Sequence, residues 1–307
     1  MTEAQSFVLP DGRTLCYAFY GLPPTQSPES DQPSTAFYFH GSPGSHYEGQ
    51  AAHDGALKRG VRIVAVSRPG YGGSSYNAQA SLASFARDVL ALADHLGIQR
   101  FVVMGVSGGG PYALACVHEI PPSRLAGTVV VSGMYPCELG MSGMMLSNRI
   151  LFSVAPYVPR LVSYVSDWSV GKQARDRDHP ERLENTLALA FKGGPEEEIA
   201  QADDGKILKL IVKSAREAFC DGAEGWACEA KLFGSPWGFE LAELQVEEGK
   251  LLMYHGGKDI NIPLRMAEKA AGMIPNAQLK VEPDESHLSL AFHKVDEIMD
   301  AIVTMLG

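Results

Sequence analysis

Short apolar runs bounded by turn residues alternate along the chain with segments whose apolar residues recur every three to four positions. Thr14–Tyr20, Ala36–His40, Val61–Val66, Phe101–Gly105, Gly127–Ser132, Lys250–His255 and Gln278–Glu282 read as strands. Several are apolar throughout rather than alternating, which suits strands covered on both faces. Between them, Ser81–Leu96 sets Leu82, Phe85, Val89, Leu92 and Leu96 at helical spacing, with Gly97 placed as a C-cap. Leu264–Met273 and Leu290–Met305 also read as helices. Strand and helix in repetition predict an α/β fold built on a mostly parallel sheet with right-handed crossovers.

The rhythm breaks between about Pro136 and Leu244. That stretch is rich in Met, aromatic and helix-forming residues, including an acidic helix from Glu196 onward, and holds no convincing strand. A block this long is not a plain loop. The predicted organisation is a core of residues 1–135 and 241–307 with a helical cap over 136–240. Pro23–Ser34, rich in Pro and Ser, reads as an exposed connection.

Composition narrows the function classes. The chain has 307 residues and a formal net charge of −10, so a nucleic-acid partner is not expected. Its five cysteines show no metal-ligand or disulfide spacing and read as free thiols. Neither a signal-peptide pattern at Met1–Ser6 nor a run of 18 apolar residues is visible. A cytoplasmic protein without membrane contact is the expectation.

The sharpest chemistry lies at Gly105-Val106-Ser107-Gly108-Gly109, directly after the apolar run FVVM and before a helical pattern. A turn from strand to helix this tight needs small residues around the serine. It lifts the hydroxyl above the sheet edge and aims a helix N-terminus at the same point, which favours developing negative charge. The glycines do not form a nucleotide-binding loop, and no Gly-Lys-Ser/Thr follows. An activated serine needs backbone donors for an oxyanion. The amide of Gly108 supplies one, and Ser42 in His40-Gly41-Ser42-Pro43-Gly44 is the natural second, since Pro43 has no N–H.

The base must be a histidine oriented by a carboxylate. His287 lies in a polar turn after the last strand, at the sheet edge where ligands bind in open α/β folds. His40, His255 and His293 read as structural. Asp259, in the turn after the penultimate strand, reaches the same edge, and position favours it over Asp284 and Glu285.

With these pieces in order, the sequence resembles the α/β-hydrolase superfamily. The matching segments are HGSPG (40–44), SRPGYGGSS (67–75), GVSGGGPYALA (105–115), HGGKDINIP (255–263) and ESHLSL (285–290). The resemblance implies an eight-stranded, mostly parallel sheet with a cap inserted after the sixth strand. It puts Ser107, Asp259 and His287 on triad positions and Ser42 and Gly108 on oxyanion positions. Ser67 departs from the aspartate that many relatives carry there. A serine nucleophile argues against epoxide hydrolase or dehalogenase chemistry, where aspartate serves. The implied activity is hydrolysis of an ester or lactone of a small, largely apolar molecule, with no cofactor or metal. Amide or C–C bond hydrolysis, a cofactor-free haloperoxidase-like activity, or a non-hydrolytic role as a small-molecule binding protein or biosynthetic cyclase on the same scaffold stays open. Met141, Met144, Met145, Phe152, Tyr157, Trp168 and Trp237 in the cap are candidate substrate contacts, with Met144, Trp168 and Trp237 put first.

Overall fold

A computed structural model of the chain describes residues 3–24 and 33–307. Most of the Pro/Ser-rich connection therefore lies outside the described residues. Eight strands form one sheet in the order β1-β2-β4-β3-β5-β6-β7-β8. They are β1 (Gln5–Val8), β2 (Thr14–Gly21), β3 (Thr35–Phe39), β4 (Arg62–Val66), β5 (Phe101–Val106), β6 (Leu125–Val131), β7 (Leu251–Gly256) and β8 (Gln278–Glu282). The β1/β2 and β2/β4 pairs are antiparallel, and every later pair is parallel.

The continuous apolar runs have a direct cause. β3, β4, β5 and β7 are buried at every position because helices cover both faces. Phe37 and Phe39 of β3 face one layer, with α2 (Leu82–His95) and α3 (Gly110–Glu119) packed there. Ala36 and Tyr38 face the other, which holds α1 (His53–Lys58) and Ile298, Met299 and Ile302 near the C-terminus. α2 begins as its sequence requires: Ser81 and Ser84 form a reciprocal capping box.

After β6 the chain runs through α4 (Leu146–Val154), α5 (Pro159–Ser166), α6 (Lys172–Arg175), α7 (Glu181–Phe191), α8 (Glu197–Ala218) and α9 (Glu224–Phe233) before β7 begins. No strand interrupts this helical insertion among the described residues. The backbone leaves the helix at Ala202–Gly205 within α8. The core then closes with α10 (Leu264–Met273), α11 (His287–His293) and α12 (Val295–Leu306).

Two elements differ from the sequence expectation. β1 has mostly exposed residues and no apolar run to announce it; its pairing with β2 at the sheet edge makes it a strand. The final helix is two helices that meet at Lys294, which leaves helical geometry at φ −100 and ψ 8. The break separates two tasks. α12 buries Ile298, Met299 and Ile302 on the sheet, while α11 starts over the sheet edge at His287. Among the described residues, no helix is long and apolar enough to cross a membrane.

Candidate active site

β5 ends at Val106 and the chain turns at once into a helical turn and α3. Ser107 sits at this turn with φ 53, a left-handed conformation that costs a non-glycine residue roughly 1–3 kcal/mol. The flanking glycines explain themselves. A Cβ at Gly105 would strike the carbonyl of Gly109, and one at Gly109 would strike the carbonyl of Phe39. The motif is small where strand and helix cross.

Parallel strands bring three loops to the same edge. His287 Nε2 lies 2.9 Å from Ser107 Oγ, and its Nδ1 lies 2.7 Å from Asp259 Oδ2. Asp259 is itself fixed, because its Oδ1 accepts the N–H groups of Asn261 and Ile262, each at 2.8 Å. His255 Nε2, 3.6 Å from Asp259 Oδ2, donates to the carbonyl of Ile262 at 2.8 Å. The nearer acids in sequence face elsewhere: Asp284 pairs with Lys258, and Glu285 bonds Ser289 and His293. Burial alone would depress the His287 imidazole. The Asp259 charge and hydrogen bond outweigh burial, with Glu196 and Glu48 adding to them, so the net shift is upward from 6.5.

The His40–Gly44 loop is tied down from two sides. Gly41 N–H donates to Glu48 Oε2 at 2.6 Å. The buried Arg68 guanidinium donates to the carbonyls of His40 and Gly41 and, at 2.8 Å, to Ser42 Oγ. Ser42 Oγ in turn donates to Glu229 of α9. Glu229 also accepts from Arg68 Nε at 2.6 Å and from the Tyr71 hydroxyl at 2.9 Å. His40 donates from Nδ1 to the Gly41 carbonyl and accepts Arg68 N–H at Nε2, so it is the neutral Nδ1–H tautomer. Burial, then Arg68, push its pKa well down. The loop lies so close to the turn that a Cβ at Gly108 would collide with the Ser42 side chain.

Ser107, His287, Ser42, Gly108 and Glu48 open into a cavity of about 430 Å³ whose other walls are mainly apolar. From the insertion come Phe152 of α4, Phe191 of α7, Ile211 of α8, and Trp226 and Phe233 of α9. The three insertion residues singled out from sequence are not among its walls. Met144 and Trp237 are buried at 4% and 7% exposure in the hydrophobic core, where Trp237 packs against Phe239. Trp168 is 65% exposed. Its neighbours Ser166, Ser169 and Val170 line the cavity, and this i, i+3, i+4 face turns Trp168 outward. Of the insertion residues considered from sequence, Phe152 does line the cavity. Spacing carried the better signal: Leu187 and Phe191 are four apart, and Trp226 and Phe233 seven apart, on single helix faces. Arg68 lies in the SRPGYGGSS segment, but its role as an anchor of the His40–Gly44 loop was not read from it. Glu196 and Glu229 gave no motif signal, because their partners lie 91 and 161 positions away in sequence.

The model for the Alpha/beta hydrolase family matches residues 37–301. The chain belongs to this family. Among curated relatives, it is 32% identical over 127 residues to the bifunctional esterase/perhydrolase DCH of Acinetobacter calcoaceticus, covering 41% of this chain and 43% of that protein. It is 31% identical over 111 residues to the uncharacterized hydrolase YcgS of Bacillus subtilis (strain 168), covering 36% of this chain and 35% of that protein. The chain thus matches well under half the length of these two relatives. Among solved structures, an esterase from Exiguobacterium antarcticum superposes with TM-score 0.68 at 16% identity over 99% of both chains. A bromoperoxidase from Bacillus anthracis superposes with TM-score 0.69 at 15% identity, over 98% of this chain and 100% of that one. These two likenesses concern the fold.

Proposed function

We propose that this α/β hydrolase is a serine carboxylic ester hydrolase acting on small, neutral, largely apolar esters or lactones. The observation that carries the reading is the hydrogen-bonded series Ser107–His287–Asp259 at the floor of an apolar cavity. Ser107 is the nucleophile, His287 the general base and then general acid, and Asp259 the carboxylate that holds the imidazole tautomer. Ser107 Oγ attacks the carbonyl carbon as His287 Nε2 takes its proton. The amides of Ser42 and Gly108 receive the oxyanion. His287 returns the proton to the leaving alcohol, and water, deprotonated by the same imidazole, releases the acid from Ser107. The helical insertion acts as the cap over residues 136–240, and its inner faces select the substrate. Glu48 and Asp259 make this floor unfavourable for an anionic acyl group.

The test is a series of p-nitrophenyl acetate, butyrate and octanoate, with covalent labelling by a fluorophosphonate. The expected result is turnover, a rise in kcat/KM from acetate to butyrate, and one label located on the Ser107 peptide. Neither turnover nor labelling of Ser107 in folded protein would sink the reading.

The pH profile supplies a separate prediction. His287 accepts a proton only when neutral, and its folded pKa lies above the ordinary 6.5. Activity is therefore lost as pH falls through that raised value. The acid limb of kcat/KM is expected to have its midpoint above 6.5. A midpoint clearly below that value contradicts the electrostatic account of the base.

A further inference from the structure

We propose that Glu196, carried by the cap, is a positioning residue that clamps the backbone of the base His287 and makes catalysis depend on the cap being seated. The proposal rests on the ester-hydrolase reading for its kinetic consequences, though not for its geometry.

α11 begins at His287. The first N–H groups of any helix lack partners within the helix and must be answered from outside. Ser286, the N-cap, accepts Ser289 N–H. The next two donors are answered by Glu196, which lies between α7 and α8 and is 4% exposed. His287 N–H donates to Glu196 Oε1 at 3.0 Å and Leu288 N–H to Oε2 at 3.0 Å. Ser286 Oγ adds a third bond to Oε2 at 2.7 Å. A carboxylate at this end of a helix is favoured by the dipole as well as by the hydrogen bonds.

His287 is thus held at both ends. Ser107 and Asp259 fix the ring, and Glu196 fixes the peptide from which the ring hangs. Proton transfer tolerates little misplacement, so loosening the peptide reaches the chemistry without touching substrate. The titratable groups facing His287 are Asp259 and His255 from the β7 side, Glu48 from the turn at His46–Ala52, and Glu196 from the cap. Asp259, Glu196 and Glu48 favour the charged imidazole, whereas His255 and His287 disfavour each other's charge. Of the three carboxylates, only Glu196 belongs to the cap. Glu196 therefore ties the cap directly to the peptide that carries the base.

The experiment uses wild type, Glu196→Gln and Glu196→Ala. It measures kcat and KM for p-nitrophenyl butyrate, and the His287 titration by NMR of histidine-labelled protein. The expected result is a fall in kcat of about ten- to a hundredfold for Glu196→Ala, with KM little changed and Glu196→Gln between. The His287 midpoint is expected to fall in both variants. Wild-type kcat with an unmoved His287 titration, even in a less stable variant, overturns the proposal and makes Glu196 a structural cap. If Glu196→Ala does not fold, Glu196→Gln decides by the same two readings. If wild type hydrolyses no ester, hydrogen exchange of the His287 and Leu288 amides decides: faster exchange in Glu196→Ala than in wild type upholds the clamp while the ester reading fails, and unchanged exchange overturns the clamp.

Discussion

Replacing Ser107 with alanine is expected to lower kcat for a p-nitrophenyl ester by roughly 10⁴- to 10⁶-fold, while the protein stays folded. Without Oγ there is no acyl-enzyme, and His287 Nε2 loses the partner that stands 2.9 Å away. What remains is the cavity, the Ser42 and Gly108 amides and the imidazole, which can activate water only poorly placed for attack. The non-additivity of such units means that Ser107→Ala and a Ser107→Ala/His287→Ala double variant should be nearly equally impaired. Stability behaves differently. Ser107 occupies φ 53, and alanine inherits that strain because it keeps Cβ. Ser107→Gly relieves it and is expected to be more stable than Ser107→Ala, by about 1 kcal/mol at most once the added freedom of the unfolded chain is counted. The two variants should therefore be equally inactive but differ in Tm. An alanine variant retaining a tenth of wild-type kcat would mean another group attacks the carbonyl.

How far the sequence reveals this site depends on the distance over which each constraint acts. Ser107 was legible because its constraint is local: Gly105 and Gly109 must be small where the strand, the turn and the Phe39 carbonyl meet. His287 and Asp259 were legible as candidates because parallel strands deliver the loops that follow them to one edge. The buried strands were legible because a two-sided cover demands an unbroken apolar run. β1 was not, since an exposed edge strand takes its identity from hydrogen bonds to β2 rather than from its own residues. Nor, beyond Phe152, were the cavity walls. Trp168, Met144 and Trp237 are large and apolar, but which way a helix of the insertion faces is set by packing against the core. The polar supports are the least legible part. Arg68 and Glu229 are 161 positions apart, and Glu196 and His287 are 91 apart, so neither pair leaves a local motif.

The Arg68–Glu229 pair carries the second large expected effect. Arg68 and Glu229 side chains are 1% and 2% exposed, and their closest atoms are 2.6 Å apart. Burial works against the Arg68 charge, and Glu229 more than offsets it, so the net shift is upward. Arg68 also lies over the Tyr112 ring at 4.9 Å. Glu229→Ala leaves a buried guanidinium without its counter-charge and takes the acceptor from Tyr71 and Ser42. The expected cost is about 3–5 kcal/mol, read from urea unfolding with m unchanged. Replacing both partners by apolar residues of similar size, as in Arg68→Met/Glu229→Leu, should recover most of that loss, because no unpaired charge is then buried. Activity should not recover with it. The guanidinium binds the carbonyls of His40 and Gly41 and the hydroxyl of Ser42, so the double variant frees the loop that presents the Ser42 amide. Losing one oxyanion donor typically costs a hundred- to a thousandfold, and kcat of the stable double variant is expected to fall by roughly ten- to a hundredfold, since the amide is loosened rather than removed. The separation is the point of the measurement. Stability regained with kcat still low assigns the ion pair to the geometry of the proposed oxyanion loop. Stability and kcat regained together assign it to holding α9 against the core, with Ser42 positioned by other contacts.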